Sequence, residues 1–474
     1  MKQTALFTDL YELTMMQGYF VEGMNTEVVF DMFFRRQPYG GGFSVFAGLD
    51  PLMEELLNLE FISEDLDYLA GLGLFTDEFL TFLGKLRFTG DLYAVDEGSV
   101  VFPNEPLIRV HGNLIEVQLI EGMLLNAINF QTLVATKAAR VYTASREGKV
   151  LEFGLRRAQG FDGALSAARA AYVGGASATS NTLAGKTYGI PVKGTMAHSW
   201  IMAFDDELSS FRRYADLYPD SAILLIDTYS TLGSGIENAI TVGKELQARG
   251  KGVGVRLDSG DLDYLSREVR RRLDEAGLPE AVITVSNELN EEIIHQLVAA
   301  GAPIDMWGVG THLVTGGSDA SLTGVYKLSA KKKGDAYVPT IKVSNNPEKI
   351  TNPGVKQVYR FVDNAGMFIA DYLALADETV EGGKEYVFHH PDVEKIHFHL
   401  ESYDAIEPLL KPRIEGGKQT ADRPTLGAIQ EKTKRSLHAL DYSYKRIINP
   451  HRYKVSLSRK LKDLKFSMVN GFME

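Results

Sequence analysis

Between about residues 148 and 330 the chain repeats one rhythm: a short apolar run, a turn, an amphipathic helical stretch, then another apolar run. The runs are VLEFG (150–154), IPVKG (190–194), AILLID (222–227), GVGVRLD (252–258), AVITVS (281–286) and IDMWGVG (304–310). Most gaps hold one helix-length segment with an apolar face, such as GIENAITVGKELQARG (235–250) and DLDYLSREVRRRLDEAG (261–277). Strands joined by crossover helices run parallel, because a tight hairpin can only return the chain antiparallel. The expected class is therefore α/β, with residues 116–330 forming a β/α barrel, complete or incomplete. In GVGVRLDSGDL the sixth position of a G-x-G-x-x-G turn, next to Arg256, is Leu257 and not glycine, which argues against a doubly wound dinucleotide fold.

A chain of 474 residues exceeds one simple core. Residues 1–115 read differently from the repeat. EVVFDMFFRR (27–36) alternates like a half-buried strand, and 91–112 reads as strands punctuated by Gly and Pro. An α+β sandwich is expected there, with 331–474 partly completing it. The stretch 114–145 spaces apolar residues as one long helix leading into the repeat.

Composition excludes several classes. Lys+Arg 50 against Asp+Glu 62 gives a net charge of −12, unsuited to a general nucleic-acid binder. The absence of cysteine removes disulfides, thiolate catalysis and Cys-based zinc sites. The N-terminus lacks the apolar core of a signal peptide, and no run of 18 uncharged apolar residues occurs, so a cytoplasmic protein without membrane contact is expected. Residues 431–465 carry eleven Lys/Arg against three Asp/Glu and read as a solvated, charge-mixed surface rather than a phosphate-facing rim.

In parallel α/β folds, ligands bind at the carboxyl edge of the sheet. Each run here ends in polar residues: Arg156 and Arg157; Gly174, Gly175 and Ser177; Thr195, His198 and Ser199; Asp227 and Thr228; Arg256, Asp258, Ser259 and Asp261; Ser286 and Asn287; Gly308, Gly310 and Thr311. Helix caps and turns account for many of them. Three arginines at strand ends are not caps, and their forks suit phosphate and carboxylate. Glycine-rich turns after the last strands match where barrels hold phosphate on backbone N–H groups. The combination points to a phosphorylated, hydroxyl-bearing substrate with magnesium.

The motifs TDLYELTM (8–15), FFRRQPYGGGF (33–43), EFGLRRAQG (152–160), GTMAHSW (194–200), IDTYSTLGSG (226–235), VRLDSGDL (255–262) and VGTHLVTG (309–316) resemble, in order, those of the nicotinate phosphoribosyltransferase family. The resemblance implies condensation of nicotinate with phosphoribosyl pyrophosphate, with ATP hydrolysis coupled through a phosphohistidine, magnesium as cofactor, and a homodimer with shared sites. It implies His198 as the phosphorylated residue, Asp227 as its carboxylate partner and Asp258 for the ribose hydroxyls. Tyr11 would stack on the pyridine ring from the neighbouring subunit. Thr195 and Arg256 would hold nicotinate, and Arg156, Arg157 and Ser259 the substrate or pyrophosphate. Gly308, Gly310 and Thr311 would hold the 5′-phosphate. Ser177 matches the position where nicotinamide-using relatives carry an aspartate; its lack of charge favours the acid.

Other readings compete. A sugar-phosphate aldolase or isomerase needs a Schiff-base lysine or a carboxylate pair, and Lys193 is the only strand-end lysine near His198. A non-catalytic nucleotide sensor would bind without releasing pyrophosphate. His397 and His399, with His389 and His390 close in sequence, read as ordinary surface histidines rather than a metal site.

Overall fold

The computed structural model describes residues 5–393 and 395–472. The chain divides into two units, Met1–Leu133 with Ser321–Glu474, and Val134–Ala320. The first boundary falls within the long helix Glu121–Ala144.

The 134–320 unit is built on six parallel strands: β1 (Lys149–Glu152), β2 (Ala178–Thr179), β3 (Ile223–Leu225), β4 (Gly254–Leu257), β5 (Val282–Val285) and β6 (Met306–Val309). Their order across the sheet is β2-β1-β6-β5-β4-β3. Each strand thus lies beside its neighbour in cyclic chain order, while no ladder joins β2 to β3 among the described residues. The strands are apolar because helices cover them: Val150, Leu224, Leu225, Val255, Ile283 and Val309 are all buried. The connecting helices start on side-chain caps. Asn181, Asp206, Asp261 and Asn290 each accept from a backbone N–H in the first turn. Asp261, one of the polar residues at the strand ends, is therefore a helix cap.

IPVKG departs from its expected role as a buried strand. Only Val192 pairs, through a single parallel bridge to Thr179, and Val192, Lys193 and Gly194 are exposed. A Pro in the run removes one ladder donor, which confines such a segment to a sheet edge.

The other unit interleaves both ends of the chain. A seven-stranded sheet takes Glu27–Phe34, Asp91–Ala94 and Ile108–Asn113 from the N-terminal part, and Gly324–Lys333, Ala336–Pro339, Lys411–Glu415 and Lys418–Gln419 from the C-terminal part. Glu27–Phe34 pairs antiparallel with a strand from each part, Phe30 facing Val110 on one side and Leu328 on the other. A second, six-stranded sheet belongs to the C-terminal part and packs aromatic residues around Phe361.

Part of the basic segment 431–465 is paired: Lys432 with Asp96, Lys460 with Asp377, Lys465 with Asp392 and Arg459 with Asp463. His389 departs from the surface reading. It is buried (5% exposed), and burial lowers its basicity. No group of three or more His, Cys, Asp or Glu able to hold a metal occurs among the described residues.

Candidate functional site

The carboxyl edge of the parallel sheet gathers His198, Asp227, Arg256, Asp258, Ser259, Thr195 and Ser286 into one hydrogen-bonded cluster. Asp227 follows β3, and its side chain is 1% exposed; Oδ1 lies 3.3 Å from His198 Nε2. Its other oxygen accepts from the Asp258 backbone N–H at 3.1 Å and from the Ser259 hydroxyl. An aspartate so held is fixed in orientation. His198 opens the short helix His198–Met202, with its side chain 41% exposed. The Asp227 contact at Nε2 leaves Nδ1 as the ring nitrogen free of a protein partner among the described residues.

Arg256 on β4 uses its whole fork. Nε donates to Ser286 Oγ at 2.8 Å, Nη1 to Thr195 Oγ1 at 2.9 Å, and Nη2 to Asp258 Oδ1 at 3.0 Å. Ser286 also donates to Asp258 Oδ1. This network spans the ends of β4 and β5 and the segment before His198. Five donors in a rigid plane give it a geometry that lysine cannot copy.

Phe153, just past β1, stands beside this network. Its ring lies 5.7 Å from the Arg256 guanidinium carbon. Gly308 on β6 packs against the same ring, where a Cβ would come within 2.7 Å of it. Packing against Phe153 therefore accounts for glycine at this position. Gly310 is different: a Cβ there would meet only the Phe153 carbonyl, at 3.4 Å from its oxygen. Thr311 follows, its hydroxyl 3.5 Å from Glu288 Oε1.

Arg156 and Arg157 lie in the exposed turn Leu155–Arg157. Neither guanidinium has a partner among the described residues, so both are free to meet an anion. Ser177 sits elsewhere. It precedes β2, donating its N–H to Val150 O, and so faces the amino side of the sheet. The first residue beyond the carboxyl end of β2 is Ser180. Gly174 and Gly175 close the helix Gly160–Val173 and feed into β2, instead of leaving a strand. A Cβ on Gly174 would lie 2.2 Å from Ala135 O, so that glycine serves helix packing.

Tyr11 belongs to the other unit. It is half exposed on the helix Leu10–Val21, and its hydroxyl donates to Glu12 at 3.2 Å. Burial and the neighbouring Glu121 and Glu12 push its ionisation well up, leaving a neutral phenol.

Sequence reasoning overlooked Phe153, Glu152 and Thr179. An acidic residue inside the apolar run VLEFG was the available signal, because a charge in a buried strand needs an explanation.

Three family models match in succession. Residues 6–129 match the nicotinate phosphoribosyltransferase N-terminal domain, 149–349 the nicotinate phosphoribosyltransferase family, and 355–465 its C-terminal domain. The chain is 44% identical over 456 residues to nicotinate phosphoribosyltransferase of Bacillus subtilis, covering 96% of this chain and 93% of that protein. It is 34% identical to the human enzyme of that name, covering 98% and 97% respectively. The crystal structure of human nicotinic acid phosphoribosyltransferase superposes with a TM-score of 0.85 at 32% identity, covering 97% of this chain and 99% of that one.

Proposed function

This chain belongs to the nicotinate phosphoribosyltransferase family, and from that premise we propose that it joins nicotinate to phosphoribosyl pyrophosphate, releasing pyrophosphate and yielding nicotinate mononucleotide for NAD biosynthesis. ATP hydrolysis drives the reaction through a phosphorylated His198, which makes the enzyme both a glycosyltransferase and a ligase.

The observation that carries this reading is the joint setting of His198, Asp227 and Arg256. Asp227, anchored by Asp258 N–H and Ser259, fixes the Nε2–H tautomer of His198 and leaves the Nδ1 lone pair to accept a phosphoryl group. The phosphoryl group adds negative charge at the cleft and alters how anionic substrates and the exposed arginines arrange there. Arg256 and Thr195 face the carboxylate of nicotinate, and Asp258 the ribose hydroxyls.

Loss of pyrophosphate from ribose C1 builds positive charge on the sugar and negative charge on the leaving group; the pyridine nitrogen attacks the opposite face. Arg156 and Arg157, unpaired at the rim, are suited to the leaving group. Gly310 and Thr311 hold the 5′-phosphate. A carboxylate such as Asp258 would help hold a magnesium ion beside the pyrophosphate, and the ion when bound would supply charge that offsets the leaving group's.

The working form is a homodimer in which Tyr11 reaches the pyridine ring of the neighbouring copy's site. Phe161, 95% exposed at the head of Gly160–Val173, and exposed Leu155 give apolar surface that a second copy would cover.

Incubation with phosphoribosyl pyrophosphate, magnesium and ATP, offering nicotinate, nicotinamide or quinolinate in parallel, tests the reading. Nucleotide from nicotinate is expected; product only from a rival base would overturn it.

A further inference from the structure

Glu152 closes β1 with a side chain buried to 1% exposure, at the edge of the sheet where the site lies. Each oxygen takes one donor, one from the turn after β1 and one from β2. The Gly154 N–H donates to Oε1, and the Thr179 hydroxyl to Oε2. The Glu152 backbone carbonyl also accepts from Ser180 N–H at 2.9 Å. Burial raises the affinity of this carboxyl for a proton, and the two donors oppose that shift. A buried carboxyl with both oxygens engaged is costly to leave unpartnered, so it fixes whatever it binds.

What it binds leads to the substrate. Gly154 is the residue after Phe153, whose own N–H is tied to Val309 O at 2.8 Å. Thr179 passes the connection onward in two directions. Its hydroxyl accepts from Asn181 N–H at 2.9 Å, and Asn181 caps the helix Thr182–Tyr188. Its backbone bridges the 191–193 segment, donating to Pro191 O and accepting from Lys193 N–H, both at 3.0 Å. That segment runs directly into Thr195 and His198.

We propose that Glu152 is a positioning residue for the pyridine substrate, a carboxyl staple that holds the Phe153 turn against the Thr179–Ser180 turn. The proposal rests on the nicotinate reading above. Glu152 touches no substrate; it acts through Phe153, Ser180 and the Thr195 segment.

Steady-state kinetics and nicotinate binding by calorimetry on Glu152→Ala, Glu152→Gln, Thr179→Val and the double variant Glu152→Ala/Thr179→Val test it, with melting temperature recorded for each. Glu152→Ala is expected to raise the nicotinate KM and Kd on the order of tenfold, as small misplacements of positioning groups do. Thr179→Val should raise them several-fold while leaving the phosphoribosyl pyrophosphate KM within about twofold, and the double variant should be no worse than Glu152→Ala alone. Glu152→Gln, retaining one acceptor oxygen, should recover part of the loss. Lower melting temperatures with unchanged nicotinate KM and Kd, or equal rises for both substrates in Thr179→Val, would reduce Glu152 to a structural residue and overturn the proposal. Activity of the wild-type protein with that outcome leaves the nicotinate reading standing; absence of nucleotide from the wild type would remove both.

Discussion

Asp227 faces His198 Nε2 at 3.3 Å through one carboxylate oxygen and gives the other to Asp258 N–H and the Ser259 hydroxyl. The aspartate, just past β3, is thus anchored by the loop after β4 before it orients the His198 imidazole. In the proposed mechanism neither residue alone would make a phosphoryl acceptor; the pair would, because the tautomer is set from outside the ring.

Asp227→Asn should keep the fold and lose coupling. An amide can donate to Nε2 and so stabilise the opposite tautomer, closing Nδ1 to phosphoryl transfer. ATP consumed per nucleotide formed, measured by paired product assays, should fall by at least about tenfold, the scale expected for a mispositioned catalytic base or nucleophile. Unaltered coupling in this variant would dissociate Asp227 from His198.

Arg256→Lys tests the fork. Lysine keeps the charge but cannot meet Ser286, Thr195 and Asp258 together. Loss of charged hydrogen bonds worth about 1.5–3 kcal/mol should raise the nicotinate KM roughly 10- to 100-fold. A nicotinate KM within twofold of wild type, roughly the limit of a shift worth interpreting, would mean that Arg256 serves architecture only.

Ser180→Asp tests selectivity at the carboxyl end of β2. A carboxylate there repels the nicotinate carboxylate and can accept from an amide NH2. Nicotinate kcat/KM should drop by about tenfold or more and nicotinamide turnover should rise, the discrimination expected when a polar group is mismatched. The same substitution at Ser177, on the amino side, should leave selectivity untouched.

That contrast shows what was readable in the sequence. Asp227, Arg256 and His198 each follow an apolar run long enough, or a motif distinct enough, to mark the strand's exit. β2 has only two residues, too few to show alternation, and the Gly174–Gly175 pair preceding it looks like an exit turn. Its conformation instead serves contact with the long helix, where Ala135 O leaves no room for a Cβ. The interleaving of N- and C-terminal strands around Glu27–Phe34 is likewise set by pairing partners some 300 residues apart in register, such as Val29 with Ala330, which no local pattern encodes. Glu152 was visible as an oddity in VLEFG, but its partners were not.

Stability should fall on mild acidification through His111, in the unit built from both chain ends. Burial, then the nearby Arg109 charge, lowers its pKa from 6.5 to about 4. The unfolded chain therefore takes up a proton below pH 6.5 that the folded chain refuses until about pH 4, so stability is lost as pH falls across that window. At about 1.4 kcal/mol per pKa unit the loss approaches about 3 kcal/mol. Denaturant melts from pH 7 to 4 should show this slope, and His111→Gln should flatten it. An equally steep slope in the variant would assign the acid sensitivity to other groups.

The most direct measurement follows phosphate from γ-labelled ATP onto the protein in the presence of magnesium, with the modified residue located by peptide mass spectrometry. A single acid-labile phosphate is expected on His198, discharged on adding nicotinate and phosphoribosyl pyrophosphate, and absent from His198→Asn, which should retain only uncoupled transfer. Phosphate on another residue, or ATP-stimulated nucleotide formation undiminished in His198→Asn, would contradict it.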